Sequence, residues 1–77
     1  MEINDFIKNF SVQLEGTDTS KITAQTRFRD EIEDWSSLTA LSIIAMVDAE
    51  YSVTLKGEDI RKSQTVEDLY NIVKARK

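Results

Sequence analysis

The chain contains no proline, and only two glycines, Gly16 and Gly57, interrupt its 77 residues. Apolar and polar residues alternate as a strand requires only in the short segment 52–55. Proline and glycine are the residues that most often break helices, so their scarcity favours long helical stretches. The sequence therefore predicts an all-α fold, a small four-helix bundle made of three main helices and one short helix.

The length of the chain limits the size of its core. A chain of 77 residues can bury one modest core, so a single domain over residues 1–77 is expected. No cysteine is present, which excludes disulfides and thiolate zinc sites as supports for a small fold. Helix packing alone is therefore expected to stabilise this domain.

The first helix is predicted over residues 3–15, approximately, from apolar residues at helical spacing, and Gly16 is expected to end it. A long loop then runs to Ser36, well beyond the usual length of a helix connection. Spaced apolar residues within this loop predict that it packs across the bundle, with Phe28 and Ile32 as its anchors.

The second helix is expected to begin at Ser36 or Ser37, where a serine can cap the first turn, and to end near Tyr51. It is unusually apolar, with one arc that includes residues 43 and 47 and a second arc on the other side of Ser37. The second arc consists of Leu38, Leu41 and Ala45. One arc can fill the core of so small a bundle, and the other can remain exposed.

Two further helices are predicted after a short extended segment. A brief helix is expected near residues 57–60, and Thr65 is expected to open a last helix with Asp68 at the capping-box position. The buried stripe of this last helix is predicted to contain Val66, Leu69, Tyr70 and Val73.

Acidic residues outnumber basic ones, fourteen to ten, which gives a formal net charge of −4. Such a surplus repels nucleic acid phosphates and anionic membranes and favours basic protein partners. The acidic first residues differ from a secretory signal, and no apolar run has the length of a membrane span. We therefore expect a cytoplasmic monomer that binds neither nucleic acid nor membrane.

The residues needed for most enzymatic sites are missing. Without histidine or cysteine the chain lacks the usual general base and the strongest nucleophile, and two glycines cannot form a phosphate loop. Carboxylates in the acidic run 30–34 could bind a hard cation, but such runs are usually solvated surface. The sequence thus predicts a protein that is not an enzyme, with no catalytic residue and no metal ligand.

Several short segments on either side of Ser37 occur in an order that is typical of a known family. Ser37 and Leu38 come after an acidic loop and begin a helix that ends in Asp-Ala-Glu-Tyr at 48–51. Thr-Arg-Phe at 26–28 lies upstream, and Thr-Val-Glu-Asp-Leu at 65–69 lies downstream. Together these segments resemble the acyl carrier protein family, whose Asp-Ser-Leu motif carries phosphopantetheine at the start of that helix. The resemblance covers nearly the whole chain.

The resemblance implies an acyl carrier protein of fatty acid or polyketide biosynthesis. A separate phosphopantetheinyl transferase would move 4'-phosphopantetheine from coenzyme A onto the hydroxyl of Ser37. The thiol of this arm would hold acyl groups as thioesters for acyl-transferring and acyl-modifying enzymes. Which pathway and which acyl group are involved is left open, because partner enzymes choose them.

The match departs from the family pattern at two positions. Ser36 stands where the family has Asp, which makes Ser36 a rival attachment site, and Trp35 adds bulk at the end of the loop. Ser37 is preferred because Leu38 follows it directly and because Tyr51 lies fourteen positions later, the register the family shows. Ser36 then serves as a cap.

The expected docking face surrounds Ser37 and combines apolar contacts with carboxylates for basic partner residues. Its members are predicted to be Asp34, Trp35, Leu38, Leu41, Ala45, Asp48 and Glu50. Two alternatives stay open. Leu38 and Leu41 could instead pack against the long loop, or the chain could be a non-enzymatic helical interaction module without a prosthetic group, whose exposed arc receives a partner helix.

Overall fold

The computed structural model describes residues 2–14, 19–33 and 35–77. Five α-helices and one 3₁₀ turn occur in these ranges: α1 (Ile3–Val12), the 3₁₀ turn (Thr19–Lys21), α2 (Phe28–Glu31), α3 (Ser37–Tyr51), α4 (Gly57–Lys62) and α5 (Val66–Arg76). Within the same ranges extended pairing is limited to an isolated antiparallel bridge between Arg27 and Thr65. The predicted all-α bundle, with three main helices and a short one, is confirmed.

Helix limits agree with the sequence patterns to within two residues, except at α1 and in the loop. Helix α3 covers Ser37–Tyr51 as predicted, and α4 extends two residues past the expected segment. Helix α1 ends at Val12 and not near residue 15, and the predicted stop at Gly16 lies outside the described residues. The loop contains a further short helix, α2, that the sequence patterns did not indicate.

The core lies between α1, α3 and α5, and the loop closes it from one side. Phe6, Phe10 and Val47 are completely buried, and Phe28 and Ile32 from the loop are buried with them. The two loop anchors predicted from the sequence are therefore confirmed. Burial of large apolar side chains is the main stabilising contribution that a chain without disulfides can provide.

Aromatic rings form a continuous row through this core. Phe6 lies 5.8 Å from Tyr51 and 5.7 Å from Tyr70 between ring centroids, and Phe10 follows it at 6.4 Å. The row continues from Phe10 to Phe28 at 5.8 Å. Tilted and edge contacts at these distances are the geometries that aromatic pairs prefer. The row leads from α1 to the residues that precede α3.

Backbone hydrogen bonds fasten the long loop to the start of α5. The amide of Val66 donates to the carbonyl of Thr26 at 3.1 Å, and the amide of Glu67 donates to the carbonyl of Ala24 at 2.9 Å. The next amide, that of Asp68, donates to the Thr65 hydroxyl at 3.1 Å. First-turn amides have no partners within their own helix, so the loop provides acceptors that α5 needs.

The capping box predicted at the start of α5 is present. The Thr65 hydroxyl accepts from the Asp68 amide, and the Asp68 carboxylate accepts from the Thr65 amide at 3.1 Å and from the Gln64 amide at 3.0 Å. These backbone amides hold the pKa of Asp68 below its ordinary value, because they favour the ionised carboxylate. Local signals thus fix the beginning of this helix.

Helix α4 is held on α5 by a buried carboxylate. Asp59 is 4% exposed and binds the guanidinium of Arg76. The same carboxylate accepts from the amide of Lys56, which precedes α4, at 2.9 Å. Asp59 therefore caps one helix, α4, and binds another, α5.

Candidate functional site

Ser36 is the N-cap of α3. Its backbone is extended, with φ −148° and ψ 175°, and its hydroxyl accepts from the amide of Thr39 at 3.4 Å. The Ser36 and Thr39 hydroxyls also lie 3.3 Å apart. These contacts are those of a helix cap, as the sequence predicted for Ser36.

Ser37 is the first residue of α3, and its side chain is exposed. Its hydroxyl forms no hydrogen bond with any residue that the structure describes, whereas the hydroxyl of Ser36 is engaged at the cap. The two adjacent serines thus differ in the hydrogen bonding of their hydroxyl groups within the described residues. The Ser37 hydroxyl is exposed and, unlike that of Ser36, has no role in the helix cap that the described residues form.

The two arcs of α3 separate as the sequence predicted. Ile43 and Val47 are completely buried, whereas Leu38 is 75% exposed and Leu41 is 59% exposed. Ala45 is exposed as well. The alternative that Leu38 and Leu41 pack against the long loop is therefore wrong, and an apolar strip remains at the surface beside Ser37.

The other described residues of the expected docking face differ in how far they are buried. Asp48 and Glu50 are exposed near the end of α3, while Asp34 lies outside the described residues. Trp35 is half-buried, with its ring stacked on Phe10 at 6.2 Å and tilted against Phe28 at 4.8 Å. One face of Trp35 therefore belongs to the core, and only the remainder is open to a ligand or partner.

A groove of about 460 Å³ runs between α3 and α4, and both Ser36 and Ser37 line it. Its walls are largely apolar. The remaining lining residues are Arg29, Trp35, Ala40, Leu41, Ile44, Gly57, Ile60 and Arg61. Ser37, whose hydroxyl has no hydrogen bond to the described residues, thus lies at the margin of a groove large enough for part of a flexible chain.

The groove carries two cationic side chains that sequence reasoning did not identify as site residues. Arg29 donates to the carbonyl of Ile60, and its guanidinium lies 5.1 Å from the centroid of the Phe28 ring. Arg61 lines the groove from α4. No local pattern identifies either residue, because their position depends on the approach of α4 to the loop and to α3.

One carboxylate of the acidic run forms a hydrogen bond to the backbone of the loop. The Glu31 carboxylate accepts from the amide of Arg27, the residue just before α2, at 2.7 Å. In the part of the chain that the structure describes, no three histidine, cysteine, aspartate or glutamate residues gather as metal ligands.

Among the helices that the structure describes, none has both the length and the hydropathy needed to cross a membrane.

The protein is a small all-α domain. At the start of α3 it exposes an apolar strip and the Ser37 hydroxyl, which has no hydrogen bond to the described residues. No family model matches the chain. The chain is similar to a protein named acyl carrier protein from Petrotoga mobilis, with 26% identity over 72 residues that cover 94% of this chain and 84% of that relative. This similarity supports an acyl carrier role at the family level.

Proposed function

We propose that this chain is an acyl carrier protein whose Ser37 carries 4'-phosphopantetheine. The observation that supports the site best is the exposed Ser37 hydroxyl, which is free of hydrogen bonds to the described residues and lies at the margin of the α3–α4 groove. Ser36, the rival attachment site, uses its hydroxyl to cap α3. Modification of Ser37 leaves that cap intact.

The surroundings of Ser37 suit a phosphodiester. The residue begins a helix of fifteen residues, and the amino end of such a helix carries partial positive charge that stabilises an anion. Arg29 and Arg61 add positive charge at the same groove. When attached, the group supplies a terminal thiol that holds acyl chains as thioesters.

Delivery depends on recognition by partner enzymes. The exposed side chains Leu38, Leu41 and Ala45 offer apolar contact next to the attachment point, and Asp48 and Glu50 offer carboxylates to basic residues of a partner. The proposed partners are a phosphopantetheinyl transferase and acyl-transferring or acyl-modifying enzymes of fatty acid or polyketide biosynthesis. In this proposal the protein is a cytoplasmic monomer, and tethering raises the effective concentration of the acyl group at the docked enzyme.

The deciding experiment is the covalent modification itself. The purified protein is incubated with coenzyme A, magnesium and a broad-specificity transferase, and its intact mass is compared with that of Ser37→Ala and Ser36→Ala. We expect the parent and Ser36→Ala to gain one phosphopantetheine and Ser37→Ala to gain none. Loss of the gain only in Ser36→Ala would move the site by one residue.

A non-enzymatic helical interaction module remains the second candidate. The observation that favours it is the exposure of Leu38 and Leu41, 75% and 59%, because an apolar strip on a helix is a typical contact for a partner helix. This candidate predicts that the parent gains no mass with any of several transferases. It also predicts that substitutions in the strip, but not at Ser37, abolish partner binding.

A further inference from the structure

The described lining of the groove carries a charge opposite to that of the whole chain. The chain carries a formal net charge of −4, yet the residues described as lining the groove include two arginines and no carboxylate. Apolar groups supply most of the remaining walls. A groove of this kind fits a ligand that is anionic at one end and extended and less polar along its length.

The guanidinium groups of the two arginines differ in their contacts with the described residues. Arg29 is occupied by the carbonyl of Ile60 and by the ring of Phe28. The guanidinium of Arg61 forms no hydrogen bond or ion pair within the described ranges, and its Nη1 atom lies 3.6 Å from the point where a Cβ atom on Gly57 would be. Arg61 therefore lies back over the first residue of α4, on the wall of the groove.

We infer that Arg61 binds the phosphodiester that joins the prosthetic arm to Ser37 and thereby holds the arm along the α3–α4 groove. This inference rests on the proposed function. Ser37 and Arg61 line one groove from α3 and α4, and Leu41, Ile44 and Ile60 line it with them. An arginine whose fork of donors has no partner among the described residues is well suited to phosphate oxygens.

A second anion could compete for the same side chain. A dicarboxylic acyl group would bring a free carboxylate, which shares the chemistry of the phosphodiester. The two sources differ in when they appear, because the phosphodiester is present on the unacylated arm. Measurements on modified protein that carries no acyl group therefore test the phosphodiester alone.

The matched control is the neighbouring lysine. Lys62 follows Arg61 on α4 but pairs with Glu58 at 3.9 Å and is not among the groove residues. Arg61→Gln and Lys62→Gln remove the same charge from the same helix, and only the first removes it from the groove. Arg61→Lys keeps the charge without the fork and serves as the conservative variant.

The experiment records the ³¹P resonance of the modified protein and the nuclear Overhauser effects between the arm and the methyl groups of Leu41, Ile44 and Ile60. We expect Arg61→Gln to shift the resonance and to lower the docked population roughly two- to fivefold, the range of a solvent-exposed ion pair. Lys62→Gln should match the parent, and Arg61→Lys should lie between them. Added salt should reproduce the effect of Arg61→Gln in the parent.

The outcomes distinguish failure of the carrier function from failure of the role proposed for Arg61. If the parent gains no phosphopantetheine mass, the carrier function and the role of Arg61 both fail. If the parent is modified but Arg61→Gln leaves the resonance and the arm contacts unchanged, only the role of Arg61 fails. Equal effects of Arg61→Gln and Lys62→Gln would also overturn it, because they would indicate general electrostatics. Circular dichroism of each variant verifies that α4 and the bundle are folded.

Discussion

Arg76 binds both carboxylate oxygens of Asp59, with Nη1 2.6 Å from Oδ2 and Nη2 2.9 Å from Oδ1. Paired parallel hydrogen bonds of this kind are among the stronger side-chain contacts, and they fix direction as well as distance. Asp59 also accepts from the Lys56 amide at the start of α4. The pair therefore fastens α4, one wall of the groove beside Ser37, to the last helix.

This pair predicts a pH dependence of stability. Hydrogen bonds from Arg76 and then from the Lys56 amide hold the pKa of Asp59 below its ordinary value of 3.8. Because the folded-state pKa is lowered, the contribution is fully present above the unfolded-state pKa and is lost as the pH falls through the folded-state value. Asp59→Asn should lose about 1 to 2 kcal/mol at neutral pH, and this difference should shrink below about pH 4.

Urea unfolding of the parent and of Asp59→Asn at several pH values between 7 and 2, approximately, checks this expectation. The control is Asp48→Asn, because Asp48 is exposed on α3 and its carboxylate makes no hydrogen bond to the described residues. A constant difference between the parent and Asp59→Asn across the whole range would contradict the assignment.

Trp35 connects the core to the site. Its stacking on Phe10 and its contact with Phe28 predict that Trp35→Ala lowers the free energy of unfolding by about 2 to 3 kcal/mol, less than for a fully buried tryptophan. Trp35→Phe should cost less than about 1.5 kcal/mol. Unfolding followed by circular dichroism measures both, and equal losses for the two variants would exclude ring stacking as the cause.

The exposed strip predicts an effect on recognition without an effect on stability. Leu38→Ala should change the free energy of unfolding by less than about 0.5 kcal/mol, because Leu38 is 75% exposed. It should slow modification of Ser37 by a transferase roughly 5- to 10-fold. Val12→Ala, at a residue that is 68% exposed on α1, is the matched control and should leave this rate unchanged. Equal rates for both variants would remove Leu38 from the docking face.

Helix α3 ends at a strained residue. Ser52 has φ 56° and ψ 36°, a left-handed conformation that costs a residue with a side chain roughly 1 to 2 kcal/mol relative to glycine. Glycine loses more backbone freedom on folding, so Ser52→Gly should stabilise the protein by about 0.5 to 1 kcal/mol. Thermal unfolding measures this change, and a lower midpoint for Ser52→Gly would show that the serine side chain compensates for the strain.

Features set by three or four neighbouring residues could be predicted from the sequence. The cap at Ser36, the capping box of Thr65 and Asp68 and the buried arc of α3 each arise from a short repeat or a local hydrogen bond. The size of the bundle indicated that the second arc could remain exposed, but it left open whether Leu38 and Leu41 pack against the loop. These local rules placed the start of α3 at Ser36 or Ser37, and the family resemblance favoured Ser37 as the attachment site.

Features that join distant segments could not be predicted. Asp59 and Arg76 lie seventeen positions apart, and nothing near either residue indicates its partner. Helix α2 has four residues, fewer than a periodic pattern needs. Arg61 lies on the groove because α4 packs beside α3 and the loop, which no local pattern near Arg61 indicates. Long-range placement of this kind depends on packing across the whole core.

The bonds between the loop and α5 have a consequence for hydrogen exchange. The amides of Val66 and Glu67 bond to carbonyls of residues 26 and 24, about forty positions earlier in the chain. These two amides lose their acceptors only when the loop and the start of α5 separate, because the acceptors belong to the loop. Their exchange rates therefore report detachment of the loop that leads to Ser37, and they measure the openings of that loop in the unmodified protein.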